Sequence, residues 1–298
     1  MNPRPRNRTA LVVCYFGTWP PWTRIFFHTC IMNPSVDFIF FTDCRNDIVP
    51  DARNLRIISF TLQEFNNLAG VKLQLPIRVN DPYKLCDFKP AYGKIFEDYL
   101  GDYDFWGCTD MDIVFGQINN FITDNMLAEF DVITAKFEYL VGHFTLYRNC
   151  ELVNTLYRRS PDHGRVFTSN EKFCFDECSY LWFPLLAGHT IEDLPSSTYS
   201  MTHLVRSLVK QNVIRAHFET VVLEQDQVTV IDGKLYLVNF TEQLLWDRGR
   251  LIKTDSGKEV MYFHFHFLKN KESFIIPQWE ENPGRFLVSQ YGFEAWAD

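Results

Sequence analysis

The first third of the chain alternates short, continuously apolar runs with stretches of helical spacing. Residues 10–16 (ALVVCYF) are an unbroken apolar run, which predicts a strand buried on both faces. Gly17-Thr18-Trp19-Pro20-Pro21 breaks it, and residues 22–32 read as a helix with Pro21 near its start. Residues 36–42 (VDFIFFT) predict a second strand ending in Asp43, and residues 55–60 a third. Thr61 followed by Glu64 is a capping-box signature for the next helix. Residues 87–100 carry Phe88, Tyr92, Ile95, Phe96 and Tyr99 at helical spacing, with Asp87 as cap and Pro90 in the first turn. Strand and helix in alternation predict a mainly parallel α/β sheet. Ligands of such sheets bind beyond the carboxyl ends of the strands, where Gly17, Asp43 and Asp110 fall.

The chain is organised around residues 103–117. The nearly uncharged run Phe105-Trp106-Gly107-Cys108-Thr109 ends abruptly in Asp110-Met111-Asp112, followed by Ile113-Val114-Phe115 and Gly116. On extended backbone, carboxylates at i and i+2 point to one side. At the end of a buried strand they repel each other and lose hydration. A hard divalent cation removes both penalties, whereas two acids facing water is the alternative.

Further on, a turn and helix are expected over 116–130, strands over 131–135 and 141–147, and helices over 151–159 and 201–210. A polar loop is expected over 161–170 and an irregular excursion or lid over 184–200. Phe173-Cys174-Phe175-Asp176-Glu177 brings a second acidic pair to the edge of an aromatic run. Either one acid emerges from an apolar wall with a raised pKa suited to a general base, or a helix over 176–183 starts with Asp176 as its cap. Beyond residue 213 the segments shorten, with Asp232-Gly233 as a hairpin turn between 228–231 and 235–238. Residues 260–268 (VMYFHFHFL) read as one strand carrying His264 and His266 on one face, ending in Lys269 and Lys271.

At 298 residues the chain is read as a single domain, with 1–9 as a flexible arm bearing Arg4, Arg6 and Arg8, and 272–298 as a C-terminal extension. Twenty-nine basic against 37 acidic residues leave a net charge of −8, which argues against a nucleic-acid surface. No 18-residue apolar stretch and no signal pattern is present, so no transmembrane segment is expected, leaving room for peripheral membrane contact at most. The eight cysteines include one close pair, Cys174 and Cys178, with no second pair to complete a zinc site. They read as reduced thiols of a cytoplasmic protein.

Together these features resemble the GT-A class of nucleotide-sugar glycosyltransferases over most of residues 10–271. The resemblance implies a GT-A-like (Rossmann-like) fold with C-terminal β elements completing the active site. It implies transfer of a sugar from a nucleoside diphosphate sugar, with UDP favoured, to a hydroxyl of a glycan or glycolipid acceptor. Tyr15, Phe16, Gly17 and Asp43 look like the uridine-binding edge. Asp110-Met111-Asp112, with Thr109 before it, is similar to the D-x-D motif that holds Mn2+ or Mg2+ against the diphosphate. Cys86-Asp87-Phe88-Lys89, with Tyr92 following, lies where relatives carry an acid and a base facing the nucleotide. Gly142 and His143 lie where relatives surround the sugar. His266-Phe-Leu-Lys269-Asn-Lys271 looks like the late histidine–lysine segment of glycogenin-like members, without their full H-x-x-G-x-x-K-P-W pattern. The resemblance thus assigns metal to Asp110, Asp112 and His266, phosphate to Lys269 and Lys271, and catalysis to Asp176 or Glu177. The pattern also resembles a bacterial family of GT-A-like proteins found near surface-polysaccharide genes. Two other classes stay open. A nucleotidyltransferase needs a basic Gly-rich loop after the first strand, yet no basic residue follows that strand before Arg24. A non-catalytic carbohydrate-binding protein of the same fold would leave the metal ligands without a use.

Overall fold

A computed structural model describes residues 7–224, 227–231, 234–238 and 241–296. The apolar runs of the first half become the strands β1 (Thr9–Tyr15), β2 (Val36–Thr42), β3 (Leu55–Ser59), β4 (Phe105–Thr109), β5 (Ile113–Phe115), β6 (Val132–Thr134), β7 (Phe144–Arg148) and β8 (Ala216–Phe218). All but β5 form one sheet in the order β3-β2-β1-β4-β7-β6-β8. It is parallel except at β7, which runs antiparallel to both neighbours. Period-two alternation splits its side chains between two cores. Ala10, Val12, Ile39 and Phe41 enter one, with the helices around Phe65, Phe88 and Phe96. Leu11, Val13, Phe38 and Phe40 enter the other, with Phe26 and Phe27 of the helix Thr23–Ile31. The helix Leu62–Leu73 opens with the expected capping box of Thr61 and Glu64. This is the mainly parallel, helix-flanked α/β architecture expected of a GT-A-like chain.

The second half adds β9 (Val222–Glu224), β10 (Gln227–Ile231), β11 (Lys234–Val238), β12 (Leu244–Asp247), β13 (Arg250–Lys253), β14 (Glu259–Val260), β15 (Tyr262–His264), β16 (Arg285–Ser289) and β17 (Gly292–Ala295). β10 and β11 pair antiparallel, as expected of a hairpin. The turn residues Asp232 and Gly233 lie outside the described residues, as do Arg4 and Arg6. β14-β13-β12-β16-β17 form a five-stranded antiparallel sheet whose core holds Trp246, Phe286 and Phe293. Residues 285–295, expected as part of an extension, are therefore strands of this sheet. β5, β15 and β9 form a separate three-stranded sheet.

Several expectations are corrected. The helix expected over 87–100 starts earlier, as a 3-10 helix Pro82–Ala91 capped by Asp81, and continues as short helices Tyr92–Ile95 and Glu97–Leu100. Pro90 supplies no N–H and its ring crowds the turn before it, which disfavours one continuous α-helix through 82–100. Residues 105–115 are two strands of different sheets with a bend at Met111 and Asp112 between them. The strand expected over 141–147 begins only at Phe144, leaving Gly142 and His143 in a turn. The polar loop over 161–170 contains the helix His163–Thr168. Residues 175–180 are turns, and the next helix is Trp182–Leu186, so Asp176 caps nothing. The run over 260–268 breaks at Met261 and again after His264. Arg8 is anchored: its N–H donates to Asp104 at 2.8 Å and its guanidinium lies 4.7 Å from the Tyr103 ring. Among the described residues, no helix is long and apolar enough to cross a membrane. All eight cysteines carry free thiols.

The site sheet is braced from behind by Trp106 of β4, which stacks on Tyr147 at 4.6 Å and donates its indole N–H to Asn154 at 2.6 Å. Gly93 lets the helix Tyr92–Ile95 lie directly on that indole, because a Cβ at 93 would run into the ring. Gly93→Ala is expected to lower stability by ~1–3 kcal/mol through overpacking. Urea denaturation checks this, and an unchanged midpoint would mean that the indole yields freely.

Candidate active site

The bend at Met111 and Asp112 lies beyond the carboxyl end of β4, and the strand that follows it, β5, leaves the central sheet. β5 pairs antiparallel with β15, so that Ile113 faces His264 and Phe115 faces Tyr262. The Phe265 N–H then donates to the Asp112 carbonyl at 3.0 Å, and the Lys269 N–H to the Phe265 carbonyl at 3.1 Å. This turn places three side chains from the late segment around one buried carboxylate. Asp112 accepts from Lys269 Nζ at 2.6 Å, lies 3.0 Å from His266 Nδ1 and 3.5 Å from His264 Nε2. Burial alone would raise its pKa, but His264, His266 and Lys269 together hold it well below the usual carboxylate range.

Asp112, His264 and His266 each present one ligand atom, and these atoms lie within 4.8 Å of one another. One carboxylate and two imidazoles form a donor set that fits a transition metal. His264 is the residue that sequence reasoning set aside in favour of His266. The i, i+2 histidine pair was visible, but the end of the strand between them was not. His143 packs behind the pair: its ring centroid is 4.1 Å from that of His264, and its Nδ1 is 2.8 Å from the Tyr262 hydroxyl.

Asp110 turns to a different partner. Its Oδ1 is 2.5 Å from Lys89 Nζ, which also donates to the Gly142 carbonyl at 2.8 Å. Burial opposes both charges, yet mutual attraction wins: Asp110 is lowered and Lys89 is raised well above its usual value. The two carboxylates of the D-x-D tripeptide thus have separate cationic partners.

A cleft of about 340 Å3 opens over the ends of β1 and β4. Tyr15, Phe16, Lys89, Tyr92, Thr109 and Asp110 line it, as do Asp112, His266 and Lys269. Gly17 and Asp43 sit beside it rather than in its wall: the Gly17 N–H donates to Asp43 Oδ1 at 2.6 Å. Gly17 has φ +102°, which glycine adopts without strain. Lys271 is exposed beyond the short helix Leu268–Asn270 and away from the cleft lining.

Asp87 is fully buried and aims elsewhere. Its Oδ2 accepts from Lys84 Nζ at 2.7 Å and from the Phe173 N–H at 2.9 Å, while Oδ1 accepts from the Phe175 N–H at 2.8 Å. It therefore fixes the segment that carries the second acidic pair. Within that pair the roles divide. The Glu177 carboxylate accepts from the Gly142 N–H at 2.8 Å and the Trp182 indole N–H at 2.6 Å. Asp176 packs against Gly142 so closely that any Cβ at 142 would collide with its carboxylate. Burial, followed by the negative charge of Glu177, pushes the Asp176 carboxyl well above its usual range.

Asp87→Ala would leave Lys84 buried without its carboxylate and strip two backbone donors of their acceptor. The expected loss is ~3–5 kcal/mol in urea denaturation, and a loss below ~1 kcal/mol would mean that the segment is held by other contacts. Asp176 predicts a pH dependence. Its folded-state pKa lies above that of the unfolded chain, so between the two values the folded state binds more protons and stability falls as pH rises. Asp176→Asn cannot ionise and escapes this loss. Its melting temperature relative to the parent should therefore climb from about pH 4 upward; a constant difference would contradict the assignment.

No curated protein matches the chain. Among solved structures, the apo form of mouse xyloside xylosyltransferase 1 is similar at a TM-score of 0.43 and 7% sequence identity, over 88% of this chain and 99% of that one. That likeness is too loose to carry an argument. A sequence profile described as a family of unknown function, DUF6625, matches residues 11–295, and the chain belongs to that family.

Proposed function

We propose that the chain is a metal-dependent glycosyltransferase. It moves a sugar from a nucleoside diphosphate sugar, with UDP favoured, to a hydroxyl of a glycan or glycolipid acceptor, in surface-polysaccharide or other glycan synthesis. The reading takes residues 1–298 as one domain. The observation that carries it is the meeting of Asp112 with His264, His266 and Lys269 beside a cleft beyond the carboxyl ends of the parallel strands.

In this reading Asp112, His264 and His266 hold the cation, with Asp110 facing the same space. Manganese is favoured over magnesium because two imidazoles suit a transition ion better than a hard one. The bound cation would neutralise charge on the departing diphosphate. Lys89 and Lys269 add fixed positive charge where that phosphate charge grows. Tyr15 and Phe16 offer aromatic faces to the base, and Asp43 orders the Gly17 turn beside them. With Glu177 occupied by two donors, Asp176 is the acid suited to hold a proton. In an inverting reaction it takes that proton from the acceptor hydroxyl.

The test is incubation of the full chain with UDP-glucose, UDP-galactose, UDP-N-acetylglucosamine and GDP-mannose in Mn2+, following release of nucleoside diphosphate. Slow release from a UDP sugar is expected, abolished by chelation and reduced by about a hundredfold or more in Asp112→Asn. Calorimetric Mn2+ titration gives an independent readout, weakened in Asp112→Asn and in His264→Ala. Release that survives both chelation and Asp112→Asn would overturn the scheme, and a preference for GDP-mannose would overturn the uridine assignment.

A further inference from the structure

The segment from Phe173 to Trp182 is built at some conformational expense. Cys174, Ser179 and Tyr180 all have positive φ, at 50°, 56° and 66°. They are three of the six non-glycine residues in that region among the described residues. Such backbone persists only where its surroundings over-determine it, and it gathers at functional sites. Here the surroundings do so. Besides the Asp87 anchors, the Ser179 N–H donates to the Cys174 carbonyl at 2.9 Å and the Met201 N–H to the Phe175 carbonyl at 2.8 Å. The Thr202 hydroxyl donates to the Glu177 carbonyl at 2.7 Å.

What this effort presents is a shelf of aromatic rings. Tyr180 is 47% exposed, and its ring meets that of Trp182 edge to face at 5.4 Å. The polar end of each ring is tied down. The Tyr180 hydroxyl donates to the Lys172 carbonyl at 2.7 Å, and the Trp182 indole N–H donates to Glu177. The same Lys172 lays its ammonium 3.3 Å from the centroid of Tyr83, a ring 54% exposed that lines the cleft. The shelf is thus continuous with the cleft. It is also coupled to the cleft floor through Glu177, the Gly142 backbone, Lys89 and Asp110.

We infer that Tyr180 and Trp182, with Tyr83 at the cleft side, form a stacking subsite for a sugar ring of the acceptor glycan. The inference rests on the glycosyltransferase reading and extends it to the acceptor. A pyranose has an apolar C–H face and a rim of hydroxyls. Rings held by their polar ends, with the partly exposed Lys172 and Glu177 beside them, match both features. A protein partner fits poorly, since a stable interface buries about 800 Å2 on each side, far more than two half-exposed tyrosines and a less exposed tryptophan offer.

The probes are cellotetraose, maltotetraose, xylotetraose and N-acetylchitotetraose, titrated into the full chain and followed by tryptophan fluorescence and saturation-transfer NMR. At least one should bind. Tyr180→Asn removes the ring while keeping a residue that tolerates left-handed backbone, and Trp182→Ala removes the second ring. Each should weaken that tetrasaccharide by about tenfold or more. Tyr180→Asn should leave affinity for UDP with Mn2+ unchanged, and Tyr291→Ala, at an exposed ring in the turn between β16 and β17, should change neither ligand. Binding of no tetrasaccharide, or equal binding by parent and ring variants, overturns the inference. Failure of UDP to bind the parent would instead remove the donor reading on which it stands.

Discussion

Ile113–Phe115 and Tyr262–His264 are separated by about half the chain, yet they lie side by side as antiparallel strands. This pairing makes a site out of what would otherwise be an acidic bend. Asp112 is buried, and a buried carboxylate without partners would be driven toward its neutral form. The paired strand and the turn after it deliver two imidazoles and an ammonium, so the carboxylate stays ionised. Everything proposed about metal and phosphate depends on this long-range register. A one-residue slip would turn His264 away from Asp112.

A second constraint organises the opposite wall. Asp87 and Lys84 are a buried ion pair within one tight 3-10 helix. Such a pair stabilises little on balance, but it fixes geometry because both charges need partners at defined positions. Here the remaining acceptor capacity of Asp87 goes to two backbone N–H groups of the 173–175 segment. The acidic pair that follows is thereby set against Gly142, where the absence of a side chain admits the Asp176 carboxylate. The two acids are neighbours in sequence and opposite in role. Glu177 is a strut between the Gly142 turn and Trp182, and Asp176 is the acid whose environment favours a bound proton.

The two walls meet at Lys89. It is buried between Asp110 and the Gly142 carbonyl, and so joins the D-x-D bend to the segment bearing Asp176, Glu177 and the aromatic shelf. Cleft, acids and shelf are thus parts of one hydrogen-bonded framework. The proposed sugar transfer needs such an arrangement, because donor and acceptor must be held at a fixed mutual position.

The sequence by itself determined the parallel α/β core, and for a local reason. Runs such as residues 10–16 and 36–42 are apolar on both faces, and only a strand inside a covered sheet can bury them. The resemblance carried by its motifs also grouped Asp110, Asp112, Lys89, Lys269 and His266 around one nucleotide, and these side chains line one cleft. What the sequence could not determine was where continuity breaks. The acidic tripeptide reads as extended backbone at the end of a buried strand, and residues 260–268 read as one strand. Yet each is divided by a bend or turn whose stability comes from partners elsewhere in the chain. The choice between His264 and His266 dissolved for that reason, since a turn after His264 brings both rings to Asp112. The sequence singled out Asp87 and Glu177 as candidate site acids, but their orientation depends on which backbone donors lie within reach. Those donors, at Phe173, Phe175 and Gly142, come from segments 35 to 88 residues away, and only tertiary packing brings them near.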